Sequence, residues 1–256
     1  MISQYHILNG DALKAQFPGN ISGILIVARE CLVDGPVDGS TLRELYTTRA
    51  KFLEANYGGL SKQKYSENSE SEFIKVQNIP AGAEINLWFE DDLFCQVNLW
   101  FMINLLHSSN GSNAVFLVRP KEQNQYGFGG LNQDELNALY NNRIVLNDID
   151  KLANFWIFYQ QGNTGELLEA ATELIGLYPF LLPAVKAHIE RLPSNDDLMG
   201  RPKQSLLRIM TELKTRKFDD IFQEFSKRES IYGFGDLQVK RLLDELSDHP
   251  ININEP

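Results

Sequence analysis

The chain has 256 residues, 43% of them hydrophobic and 23% charged, a globular composition that excludes wholesale disorder. Its 24 basic and 34 acidic residues leave a net charge of −10, which argues against binding nucleic acid or an anionic membrane through global charge. A chain of this length buries about three quarters of its unfolded surface, so its core needs no disulfide or metal staple.

Residues 5–8 predict a short strand and 11–17 a helix, ended by Pro18 and Gly19. The run G-I-L-I-V-A at 23–28 is apolar and rich in β-branched residues, the pattern of a strand buried on both faces of a parallel sheet. A helix follows over 40–55, with Ser40 or Thr41 as its N-cap. The polar, Gly/Ser/Glu-rich stretch 56–72 reads as a loop. E-I-N-L-W-F at 84–89 predicts the third strand, 91–107 the next helix and A-V-F-L-V at 114–118 the fourth strand. Residues 132–140 predict a helix that begins with a capping box, Asn132 with Glu135 three residues on. This alternation defines the α/β fold class: a mostly parallel sheet with flanking helices, Rossmann-like in type.

Beyond about residue 147 the strand pattern stops. Helical periodicity covers 152–160, 166–177 (capped by Asn163) and 181–191. After a turn at 193–197 it returns over 202–213, 217–227 and 236–246. The chain therefore divides into an α/β domain, 1–146, and an all-helical C-terminal part, 147–256, whose segment 202–246 has helix-turn-helix length and spacing. Charge divides unevenly, with a net of −9 over 1–177 and −1 over 178–256. Residues 200–218 hold six basic side chains and one acid, Glu212, the more plausible place for an anionic partner. Y-G-F-G-G-L at 126–131 returns as Y-G-F-G-D-L at 232–237, each just before a helix. The likeness ends within a turn, so these read as two similar helix starts and not as a repeat fold.

Cys31 and Cys95 fit no zinc or redox spacing and are too few for a secreted disulfide framework. The N-terminus shows no basic start followed by an apolar stretch. The most apolar segment, 97–106, is ten residues long, whereas a membrane span needs ~20. These signals predict a cytoplasmic protein.

In an open parallel sheet the ligand crevice lies beyond the carboxyl ends of the strands. Each predicted strand runs into polar groups there: Asn9, Gly10 and Asp11; Arg29 and Glu30; Glu90, Asp91 and Asp92; Arg119. Gly10 would permit a tight turn or close approach to a ligand, and Asp11 would cap its helix or hold a ligand. Three acids at 90–92 exceed what one cap requires. They suit a helix dipole or a hard cation such as Mg²⁺. In the apolar helix behind them, Asp91, Cys95 and Asn98 share a face and Asp92 pairs with Gln96; buried polar groups need partners, in the core or in a ligand. Cys95 reads as a small buried side chain, since no histidine is near and three carboxylates oppose a thiolate. Arg29, Arg119 and Arg49 would either pair with structural acids or clamp a phosphate or carboxylate. His6 either reaches the crevice or is bonded in the core. No G-x-x-x-x-G-K-[ST], G-x-S-x-G or metal-spaced histidine set is present.

Several strings are similar to a bacterial family, domain of unknown function 1835: H-I-L-N-G-D (6–11), R-E-C-L-V-D-G-P (29–36), W-F-E-D-D-L-F-C-Q-V-N (88–98), F-G-G-L (128–131), W-I-F-Y (156–159) and H-I-E-R-L-P (188–193). With the helical tail from Gly200 they span most of the chain. The resemblance implies an N-terminal α/β domain and a helical C-terminal part, and supplies no activity.

The expected function is a small-ligand site at the strand ends, of phosphate or nucleotide type with Mg²⁺. The alternative is a regulatory module that binds nucleic acid or protein through the C-terminal helices, with Gln238, Lys240 and Arg241 on the recognition helix.

Overall fold

In the computed structural model, residues 2–58, 61–109, 112–122, 125–194 and 198–248 are described. The apolar runs form a five-stranded sheet from β1 (Gln4–Leu8), β2 (Ile24–Val27), β3 (Glu84–Trp88), β4 (Ala114–Val118) and β5 (Ile144–Val145), in the order β2-β1-β3-β4-β5. The first four strands are parallel; β5 is antiparallel to β4. Register aligns the carboxyl ends: Leu8 lies opposite Val27 and Trp88, and Trp88 opposite Val118. Strand order reverses between β1 and β3, which makes their shared end the crevice of the sheet.

Side-chain alternation separates two faces. Ile7, Ile26, Ile85, Leu87 and Leu117 enter a large core, while Leu8, Trp88 and Val118 pack on Leu13, Phe128 and Leu136. The latter come from α1 (Asp11–Ala15), a 3₁₀ turn at Gly127–Gly130 and α6 (Gln133–Asn141). Thr41 caps α2 (Leu42–Asn56), and Asn132 with Glu135 forms the capping box of α6.

Helix α5 (Leu93–Ser108) is apolar on nearly every side because it lies between the sheet and the helices that follow β5. Those are α7 (Ile149–Gln160), α8 (Thr164–Glu173), α9 (Leu181–Glu190), α10 (Arg201–Leu213), α11 (Phe218–Arg228) and α12 (Asp236–Asp248). Phe155, Trp156, Leu206, Ile221, Phe225 and Val239 share one apolar cluster with Ile7 and Leu87, so the helical part and the sheet have a common core. No described helix is long and apolar enough to cross a membrane.

The expected loop at 56–72 is largely helical. It contains α3 (Lys62–Tyr65), a π turn at Ser66–Glu70 and the start of α4 (Ser71–Gln77). Tyr65, Phe73 and Val76 are buried, and Glu72 accepts a hydrogen bond from Val27 N at 2.9 Å. A few anchoring contacts thus outweigh a polar composition. β5 has two residues, too few for a periodic signal. Part of the expected turn, 195–197, lies outside the described residues.

Candidate functional site

The crevice between β1 and β3 is built from Asn9, Glu90, Asp92 and α5. Asp92 is the N-cap of α5, and its Oδ1 accepts from Cys95 N at 2.9 Å. The Cys95 thiol donates to Glu90 Oε2 at 3.0 Å and accepts from Asn9 Nδ2 at 2.9 Å. Asn98, one turn on, donates to Asn9 Oδ1 at 2.9 Å and to Glu30 O at 2.7 Å. Gln96 Nε2 donates to Glu90 O at 2.8 Å. The polar face of a buried helix therefore links the ends of three strands. Asp91 does not share that face, because α5 begins at Leu93 and Asp91 stands outside it.

Two glycine turns press on the two carboxyls. Gly127 has φ +50°, and a Cβ there would lie 1.8 Å from Glu90 Oε1. Gly233 has φ +63°, and a Cβ there would lie 2.0 Å from Asp92 Oδ1. Positive φ and close approach both require glycine. Phe128 N donates to Glu90 Oε1 at 2.6 Å. The two Y-G-F-G strings thus each seat a glycine on one acid of the same strand end, from opposite halves of the chain.

Burial, and then the charge of Glu90, raise the Asp92 carboxyl to about 7. Burial with the Asp92 and Glu90 charges pushes the Cys95 thiol well up, so it remains a thiol. Glu90 receives two donated hydrogen bonds, from the Cys95 thiol and from Phe128 N. These groups open on a cavity of about 380 Å³. Asn9, Glu90, Asp92 and Cys95 line it from the sheet side, and Phe222, Phe225, Glu229 and Phe234 from the C-terminal helices. Among the described residues, no lysine, arginine or histidine lines it.

The other expected site residues lie elsewhere, mostly in ion pairs. Arg29 Nε and Nη2 donate to Asp11 at 2.7 and 2.9 Å, and Nη1 donates to Asn68 O at 3.0 Å. Asp11 does not cap its helix; Gly10 holds the N-cap position, at φ +99° and without a side-chain bond. Glu30 is buried against Arg49, with bonds of 3.0 and 2.9 Å, and accepts from Tyr65 OH at 2.9 Å. Arg119 pairs with Asp91 and stacks on Phe180 at 5.0 Å. Each arginine available to clamp a phosphate already holds a carboxylate. His6 is fully buried: Trp88 Nε1 donates to its Nδ1 at 3.2 Å, and its Nε2 meets Ser22 O at 3.0 Å. Burial lowers its pKa.

Among the described residues, Glu90, Asp92 and Cys95 are the one metal-ligating trio, with ligand atoms within 4.8 Å of one another. Mg²⁺ takes oxygen ligands, and the third group here is a thiol whose proton is shared with Glu90.

Sequence reading missed the glycines at 127 and 233 and the aromatic wall of α11 and residue 234. The repeated Y-G-F-G string was their signal. On α12, Gln238 Nε2 donates to Tyr57 OH at 2.7 Å and Arg241 Nη1 to Asp34 at 3.1 Å, so both face the α/β unit. No protein-family model matches the chain, and no curated protein matches it.

Proposed function

We propose that the chain binds a small molecule in the cavity at the β1–β3 crevice, where Glu90 and Asp92 act on it as proton acceptor and donor. One observation carries this reading: two adjacent carboxyls held in unlike environments at the ligand end of a parallel sheet, both lining a cavity. About 380 Å³ is within the range of small-molecule sites. Membership of the family domain of unknown function 1835 is part of the proposal. The strings that carry that resemblance include Asn9, Glu90, Asp92, Cys95 and Phe128.

Thermal melts against nucleotides and sugar phosphates, with and without Mg²⁺, and against small amines and alcohols test the site. A ligand at 100 times its Kd stabilises by ~2.7 kcal/mol. The expected result is a shift for at least one compound that disappears in Asp92→Asn and Glu90→Gln. If every shift seen persists in both variants, or no compound in the panel gives one, the reading is overturned.

A further inference from the structure

The ion pairs leave one imbalance. Glu30 and Glu229 are buried and meet arginines at 2.9 Å, from Arg49 and Arg201; buried Glu72 meets Lys75 at 2.7 Å. Asp91 and Asp11 pair with Arg119 and Arg29. Among the described residues, Glu90 and Asp92 have no basic partner. Asp92 is 7% exposed, accepts from Cys95 N and lines the cavity, so a buried carboxyl faces that space with no cation beside it among the described residues. Buried carboxylates without a counter-charge are costly, and protein interiors ordinarily pair them.

The opposite wall is aromatic. Phe225 and Phe234 lie nearly parallel, 13° apart, with ring centroids at 6.5 Å, and Phe222 lines the same side. Glu229 on that wall is already neutralised by Arg201. An anion entering here would meet two acids and no cation. A cation would supply the missing charge and also gain from the ring faces.

We propose that the ligand of this cavity is a small organic cation, an amine or amidinium on an apolar, preferably aromatic frame, with its charge on Glu90 and Asp92 and its frame on Phe225 and Phe234. This rests on the reading of the cavity as the ligand site, and it replaces phosphate chemistry there with its opposite charge.

A charge series of one shape tests it by calorimetry on the full chain: phenethylamine, phenethyl alcohol and phenylacetate. The amine is expected to bind at least ten times more tightly than the alcohol, and the acid not to bind. In Glu90→Gln and Asp92→Asn the advantage of the amine over the alcohol collapses towards one, while the alcohol's own affinity is retained. Phe225→Leu weakens amine and alcohol alike. Alcohol or acid binding as well as the amine, with loss in the same variants, overturns the charge assignment and leaves the site standing. Binding of ATP or glucose 6-phosphate with Mg²⁺ in place of the amine overturns it equally. If nothing binds, or binding ignores every variant, the site itself falls.

Discussion

The α-carbon of Gly233, in the turn before α12, rests on the carboxyl of Asp92 at the end of β3, with room for no further atom: a Cβ would stand 2.0 Å from Oδ1. The contact joins the last helices to the sheet end and buries the acid from outside. Gly233→Ala therefore carries two costs, a left-handed φ and a displaced carboxyl. Gly82 separates them, since it has φ +80° and nothing within 4 Å of a Cβ. Gly82→Ala should cost about 1 kcal/mol of strain alone. Gly233→Ala should cost about 2–4 kcal/mol and also change ligand binding. Urea unfolding of the two variants measures the difference; equal costs would show that Asp92 moves freely out of the way.

Asp92 gives a prediction with a defined pH window. Its carboxyl is held at about 7 in the fold, whereas in the unfolded chain it ionises near 4. Between about pH 4 and 7 the folded protein keeps a proton that the unfolded chain has released, so this group's contribution falls as pH rises and stays low above 7. Asp92→Asn keeps an acceptor for Cys95 N and removes the charge. It should match the wild type at pH 4 and exceed it at pH 8 by about 2–4 kcal/mol. Among the described residues, the charged groups that line the cavity with Asp92 are Glu90 and Glu229, with the Cys95 thiol beneath, and no cation lines it to reverse the sign. A stability difference independent of pH would mean that Asp92 is ionised throughout. A residue serving only as a cap would show no gain, since Asn caps as well as Asp.

Much of this arrangement was legible in the sequence. Unbroken apolar runs such as G-I-L-I-V-A specify strands, and with the helices between them they imply the parallel sheet that brings Asn9 and Glu90–Asp92 to one edge, although this run forms the edge strand and its Ile24 is half exposed rather than buried on both faces. What pairing does at that edge was not legible. Arg29 and Asp11, 18 residues apart, and Arg119 and Asp91, 28 apart, meet only through the sheet order. The aromatic wall was hidden for another reason. Phe222 and Phe225 follow helical spacing and Phe234 sits in a turn, and all three are indistinguishable from core residues until the packing of α11 on the crevice is known. The helical stretch after residue 61 was hidden because three buried side chains, among polar ones, stabilise it.

Asp11 and Arg29 give the contrasting case of strand-end acids with a structural role. The hydrogen bonds from Arg29 hold the Asp11 carboxyl below its usual value. Stability from the pair is present above about pH 4 and is lost as pH falls and Asp11 is protonated. Asp11 is 61% exposed, so solvent screens the pair, and Asp11→Asn should cost less than about 1 kcal/mol at pH 7. It should leave the affinity of any cavity ligand unchanged, because Asp11 and Arg29 do not line that space. Calorimetry on Asp11→Asn beside Asp92→Asn checks this; equal losses of affinity in the two would place Asp11 in the site after all.

The last three helices answer to a test of their own. A recognition helix must present its polar residues to solvent, yet Gln238 and Arg241 on α12 bond Tyr57 and Asp34. Arg241 also lies over the Phe52 ring at 5.0 Å. These contacts hold α12, and with it the turn that carries Gly233 and Phe234, against the α/β part of the chain. Arg241→Ala should cost about 1 kcal/mol, from a partly exposed ion pair and a ring contact. The loss should appear as faster amide exchange in α12, with α5 unchanged. Duplex DNA should bind no more weakly to the variant than to the wild type. A DNA affinity that falls steeply with salt and drops again in Arg241→Ala would return α12 to nucleic-acid recognition, and would require the helix to leave Asp34 in order to bind.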